Sequence, residues 1–129
     1  MTNVSAAVII ENENVLLTRR APGENLAGYW EFPGGKQEAN ETIKECLVRE
    51  IKEELDLDVQ CLNILIESVY LYPGGKINLI AILTEISAGE IGLNVHDKYE
   101  WVKIESLLEY QLAPADIPIA EWIIHDRKN

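Results

Sequence analysis

The stretch that most constrains this chain is residues 31–57, EFPGGKQEANETIKECLVREIKEELDL. It opens on Pro33-Gly34-Gly35, which interrupts any regular element. A helix is expected from about Thr42 to Leu55. Thr42-Ile43-Lys44-Glu45 has the form of a capping box, in which the Thr42 hydroxyl accepts from the Glu45 amide and the Glu45 side chain reaches back. At 100° per residue, Ile43, Cys46, Leu47, Glu53 and Glu54 all fall within about 60° of Glu50. The apolar stripe of the first half therefore becomes an acidic stripe in the second half, on the same face. Lys44, Glu45, Val48 and Lys52 lie off it.

That face has two readings. Charges at a helix end commonly point to water, and the glutamates then need no partner. Against this, the stripe continues one expected to face the core. Like charges three and four residues apart also destabilise a helix, and their pKa values rise unless a counter-charge is near. A hard divalent cation supplies such a charge. Mg²⁺ takes oxygen ligands, keeps some waters and bridges carboxylates to substrate phosphates. Acids beside a glycine turn thus make a candidate metal–phosphate site. Arg49 flanks the stripe. It either pairs with a carboxylate such as Glu41, holding loop to helix, or is a surface charge.

The remaining pattern sets the fold class. Strands are expected at Val4–Ile10, Val15–Arg20, in the short YWEF segment (29–32), at Val59–Tyr72, Ile77–Leu83 and Tyr99–Val102. ENEN (11–14) and YPGGK (72–76) read as turns, and APGENLAG (21–28) as a loop. A short helix is expected at Ile104–Tyr110 and a longer one at Ile117–Asp126, with Pro118 suited to its first turn. Strands and helices mix without regular alternation. That predicts an α+β fold, an αβα sandwich around a mixed sheet, in one domain over residues 1–129.

Charge and composition exclude several classes. The net charge of −11 argues against a nucleic-acid polymer, which needs a basic footprint. It leaves room for a small phosphorylated ligand, because bound cations reverse the local field. No apolar run reaches membrane-span length, and the apolar start VSAAVII lacks a basic n-region. A cytoplasmic chain is expected, with Cys46 and Cys61 reduced and packed in the core. Neither Lys36 nor Lys76 is followed by Ser or Thr, so GGK is not a P-loop.

Residues 35–57 resemble the Nudix box, the signature of the Nudix hydrolases. Gly35, Glu41, Arg49, Glu50, Ile51, Glu53, Glu54 and Leu57 match it, and Asp56 stands where the pattern has glycine. That position follows the helix and suits a left-handed residue, which Asp tolerates at a cost of about 1 kcal/mol. Glycine there is expected to be neutral or stabilising. The resemblance implies a Nudix fold and hydrolysis of a nucleoside diphosphate linked to another group. It implies Mg²⁺, with Mn²⁺ as a possible substitute, held by Glu50, Glu53, Glu54 and the Gly34 or Gly35 carbonyl. Glu53 would orient or deprotonate the attacking water, with Arg49 and Glu50 beside it. Many members carry a further loop glutamate where this chain has Val95; His96 or Asp97 are the nearby substitutes.

The wider chain resembles the MutT-like branch, through LLTRRAPGENLAGYWEFPGGK (16–36), and its NudG-type CTP pyrophosphohydrolases, through LAPADIPIAEW (112–122). The implied reaction is NTP + H₂O → NMP + pyrophosphate, on CTP, dCTP or modified pyrimidine nucleotides. Asp116 would accept from an exocyclic amine of the base, unless it is only a helix cap. Phe32 and Tyr72, or Tyr70, would stack on the base. Arg20, Gly35 and Lys36 would meet phosphate or base edge. Two alternatives stand beside this: a sanitiser of oxidised purine nucleotides such as 8-oxo-dGTP, and a degenerate nucleotide-binding sensor. The expected partner is a nucleoside triphosphate, bound by a monomer or homodimer.

Overall fold

The structure, a computed structural model, describes residues 1–128. In chain order it runs β1 (Thr2–Glu11), β2 (Asn14–Arg20), β3 (Trp30–Glu31), α1 (Ile43–Leu55), β4 (Asp58–Tyr72), β5 (Gly75–Ala88), β6 (His96–Lys103), two 3₁₀ turns (Ile104–Glu109 and Pro114–Asp116) and α2 (Ile117–Lys128). Every element expected from sequence is present. β5 and β6 extend beyond their expected bounds, through Ala88 and back to His96. Their ends are polar and carry no alternation to read, but pairing continues: Ala88 stands opposite Asp58, and His96 opposite Arg20.

The sheet is mixed, in the order β3-β2-β1-β5-β4, with β6 also paired to β2. β1 and β5 are parallel from Thr2–Ile77 to Ile9–Thr84; the other pairings are antiparallel. Period-two alternation divides the buried residues between two faces. Ala6, Val8, Val15, Leu17, Leu79 and Ala81 pack on the side of α2 and the 3₁₀ turns. Ala7, Ile9, Leu16, Ile80 and Ile82 pack on the side of α1. The α+β arrangement expected from sequence, a mixed sheet between helices, is the one observed.

The capping box at Thr42 is formed in both directions. One expectation for α1 needs correction. Its buried residues are Cys46, Leu47, Ile51 and Leu55. The core-facing stripe therefore does not turn acidic in the second half; it rotates around the helix along the Leu47–Ile51–Leu55 line. The glutamates occupy the flank beside that line. This follows from spacing the core contacts four residues apart, which drifts about 40° per step on a 3.6-residue helix. Cys61 also differs from expectation: it is only half-buried, while Cys46 is fully buried, and both are free thiols.

Candidate active site

The Pro33-Gly34-Gly35 turn lies across the start of β1. The Ala7 amide donates to the Pro33 carbonyl at 2.7 Å and the Ser5 amide to the Gly35 carbonyl at 2.8 Å. Only glycine permits this contact. A Cβ on Gly34 would lie 2.0 Å from the Ser5 carbonyl oxygen, and one on Gly35 would lie 2.3 Å from the Glu50 carboxyl carbon. The turn thereby brings the α1 acids against the sheet edge. The Gly34 amide donates to Glu54 Oε1 at 3.2 Å.

The two glycine carbonyls are not equivalent. That of Gly35 also accepts from the Ser5 hydroxyl and the Cys46 thiol. With three donors on it, the Gly35 carbonyl has less capacity left for a cation than that of Gly34.

Arg49 ties the acids together. Its guanidinium grips Glu41 at 3.0 and 2.8 Å, reaches Glu50 Oε1 at 2.9 Å and donates to the Lys36 carbonyl at 3.2 Å. Of the two readings of this residue, the structure shows the clamp from loop to helix. The guanidinium and the Glu38 amide hold the Glu41 carboxyl down at about 2. Burial pushes Glu50 up, against the pull of Arg49. Burial pushes the Glu54 carboxyl further, to about 8, and the charges of Glu31 and Glu50 add to it. Glu53 stands apart, with its side chain 59 % exposed and 3.4 Å from Arg49.

A pocket of about 460 Å³ opens from this turn. Glu54, Gly34, Gly35 and Lys36 line it, together with Phe32, Tyr72, Ala113 and Asp116. Lys36 is exposed, and its ammonium makes no ion pair among the described residues. Asp116 is buried, 6 % exposed. Its Oδ2 accepts from the Phe32 amide at 3.1 Å. Burial, reinforced by the charge of Glu31, holds its carboxyl well above the usual range.

Several sequence-predicted roles change. Phe32 reaches the pocket, but its ring is 3 % exposed and belongs to the core, so its amide, not a stacking face, is what it offers there. Tyr72 lies at the hairpin tip, 44 % exposed, and does border the pocket; Tyr70 does not. Arg20 borders it too, yet its guanidinium is engaged by Glu31 at 2.8 Å and by the Asn25 carbonyl at 3.0 Å. It braces loop 21–28. Asp97 pairs with Arg19 at 2.9 Å, outside the pocket. His96 lines the pocket, with Nε2 2.8 Å from Glu31 Oε2.

Glu31 is the residue that sequence reading missed. It lines the pocket, held by Arg20 and His96, and its charge acts on both Glu54 and Asp116. The available signal was an acid flanked by two aromatics, Trp30 and Phe32, that are both buried.

Residues 1–123 match the NUDIX domain family. This chain belongs to the Nudix family. It is 36 % identical over 121 residues to the CTP pyrophosphohydrolase of Escherichia coli K12, covering 94 % of this chain and 90 % of that one. It is 34 % identical over 116 residues to the 8-oxo-dGTP diphosphatase of the same strain, covering 88 % and 90 %. Among solved structures, the E. coli ORF135 protein superposes with a TM-score of 0.87 at 34 % identity, over 98 % of this chain and 91 % of that one. The MutT protein of Methanosarcina mazei Go1 gives 0.83 at 27 %, over 99 % and 94 %. The chain is thus a Nudix hydrolase.

Nudix hydrolases use divalent metal ions, and the donors fit one. Carboxylates of Glu50 and Glu54 lie against the Gly34-Gly35 turn, and burial, with the charges of neighbouring acids, disfavours the charge on both. Among the described residues no three acidic, imidazole or thiol groups converge into a closed ligand set. Mg²⁺ commonly keeps waters and takes phosphate oxygens alongside one or two carboxylates.

No helix among the described residues is long and apolar enough to cross a membrane.

Proposed function

We propose that this Nudix hydrolase is a Mg²⁺-dependent nucleoside triphosphate pyrophosphohydrolase, releasing NMP and pyrophosphate, that favours CTP, dCTP or modified pyrimidine nucleotides. The observation that carries it is the polarity of one pocket. Glu54, the Gly34-Gly35 turn and Lys36 line it, and so does a buried carboxyl on a different element, Asp116. A molecule with phosphates at one end and a hydrogen-bonding base at the other matches both. Similarity to the CTP pyrophosphohydrolase supports the reading.

In this reading Glu50, Glu53, Glu54 and the Gly34 carbonyl hold Mg²⁺, with Mn²⁺ as substitute. When bound, the ion lowers the pKa of water and neutralises phosphate charge. Lys36, unpaired at the rim, meets the phosphates. Glu53, exposed beside Arg49, orients the attacking water. Arg49 fixes the direction of Glu50 and keeps the Lys36 segment against α1. Positioning of this kind supplies much of the catalysis in phosphoryl-type transfer. Tyr72 covers the base from the hairpin tip. The Phe32 amide occupies Asp116 Oδ2, which leaves Oδ1 to read the base. Ionised, that oxygen accepts from the amine of cytosine and repels the carbonyl of uracil.

One observation favours a second reading. The raised pKa of Asp116 gives a protonated form that donates, and a donor suits the carbonyl of an oxidised guanine in 8-oxo-dGTP. Turnover of CTP, dCTP, UTP, ATP and 8-oxo-dGTP with Mg²⁺ separates the two. Preference for CTP over UTP supports the first, and preference for 8-oxo-dGTP supports the second. Absence of nucleotide hydrolysis across the panel sinks both.

A further inference from the structure

We propose that Asp56 and Asn94 form a clamp that positions the acidic end of α1, with Asp56 acting through its side-chain hydrogen bond. The proposal rests on the reading of Glu53 and Glu54 as site acids.

The last carbonyls of a helix have no partner within it. In α1 these belong to Lys52, Glu53, Glu54 and Leu55. The Asp56 amide closes on the Lys52 carbonyl at 3.1 Å. The other three are capped by the segment between β5 and β6. The Gly92 amide donates to Leu55 at 2.9 Å and the Asn94 amide to Glu54 at 3.0 Å. Asn94 Nδ2 donates to the Glu53 carbonyl at 2.9 Å and to Asp56 Oδ1 at 2.9 Å. Its side-chain amide has two protons, and both are used. The segment is shaped around the carboxylate: a Cβ on Gly92 would lie 2.4 Å from Asp56 Oδ2.

Asp56 is left-handed, at φ 59° and ψ 23°, as the sequence predicts. If backbone conformation were its whole role, glycine would serve at least as well. The structure revises that expectation, because glycine leaves one Asn94 proton without its acceptor. The residues after Asn94 are Val95 and His96, which line the pocket, and His96 holds Glu31. The clamp therefore joins the carbonyls of Glu53 and Glu54 to the strand that fixes Glu31. Asp56 and Asn94 are both exposed, so their bonds contribute little to global stability. Their consequence is the aim of the acids.

The test uses Asp56→Gly, Asp56→Asn and Asn94→Ala. Asparagine at 56 tolerates the left-handed backbone and keeps an oxygen that accepts from Asn94. Glycine relaxes the backbone and removes that oxygen. Asp56→Asn should keep wild-type kcat. Asp56→Gly and Asn94→Ala should lower kcat roughly fivefold or more, with KM for the nucleotide within about twofold. In the metal-free protein without substrate, amide exchange at Gly92 and Asn94 should quicken roughly tenfold in those two variants and stay unchanged in Asp56→Asn. Wild-type kcat and wild-type exchange in Asp56→Gly would overturn the clamp. A fall in Asp56→Asn equal to that in Asp56→Gly would also overturn it, by making charge the property that matters. Exchange is read without turnover, so the clamp stands or falls separately from the substrate reading.

Discussion

Two parts of the site are built differently. Around the glycine turn, Gly34, Gly35, Glu50 and Glu54 lie within one short run of chain, and Arg49 bonds Glu41, Glu50 and Lys36 from inside that run. Around Asp116 and Glu31, Phe32 meets Asp116 across 84 positions, and His96 meets Glu31 across 65. The first part is a helix packed on a turn, whose geometry follows from local spacing. The second exists only after the sheet and the α2 layer have closed. Local construction follows from spacing along the chain, while assembled construction depends on the packing of distant segments.

Breaking the local part should have the largest effect. Glu54→Gln and Glu53→Gln are expected to keep the fold and lower Mg²⁺-dependent turnover by about a hundredfold or more. Circular dichroism and steady-state kinetics on each variant check this. Near-wild-type turnover in both removes the metal-site assignment.

A smaller effect is expected at the assembled part. Asp116→Ala should lower kcat/KM for the preferred nucleotide by roughly tenfold to a hundredfold, with less loss on poor ones. Asp116→Asn can turn its amide to donate or accept, and should flatten the CTP-to-UTP preference. If both variants leave the ranking of nucleotides unchanged, Asp116 is a helix cap and the base is read elsewhere.

The pH dependence of selectivity sharpens the same point. The Asp116 carboxyl titrates well above the usual carboxylate range. Below its pKa it donates and tolerates the uracil carbonyl; above it, it accepts and favours the cytosine amine. The ratio of kcat/KM for CTP over UTP should therefore rise with pH. A ratio flat across pH 5–9, on the order of the interval in which a raised carboxyl titrates, would place the proton elsewhere.

The smallest expected effect is on stability. Glu54 is raised to about 8 in the folded protein. Its protonated form is favoured by folding, so its contribution is fully present below the unfolded carboxyl pKa and is lost as pH rises through about 8. In the metal-free protein, Glu54→Gln should then melt at nearly the wild-type temperature in acid and above it at alkaline pH. Thermal melts at the two pH values decide it. An equal shift at both would show that the gain is packing rather than charge.

Residue patterns alone carried much of this molecule. The capping box at Thr42, the break at Gly34-Gly35 and the left-handed Asp56 depend on contacts a few residues apart, where spacing and backbone preference decide geometry, whereas the pairing of Arg49 with Glu41 was one of two readings until the loop was placed against the helix. The alternation of β1, β2 and β5 likewise fixed which side chains share a face. Tertiary structure decided the rest. The drift of the buried line to Ile51 and Leu55 was set by where the sheet lies under α1. The Ser5 donors on the Gly35 carbonyl required β1 alongside it. The turning of Arg20 toward Glu31, the orientation of His96 and the capping of α1 by Asn94 each required partners brought from another strand or loop. A carboxyl at position 116 reads as a helix cap in one dimension. It becomes a buried group facing a pocket only when β3 and α2 meet around it, because burial, unlike spacing, is a property of the packed whole.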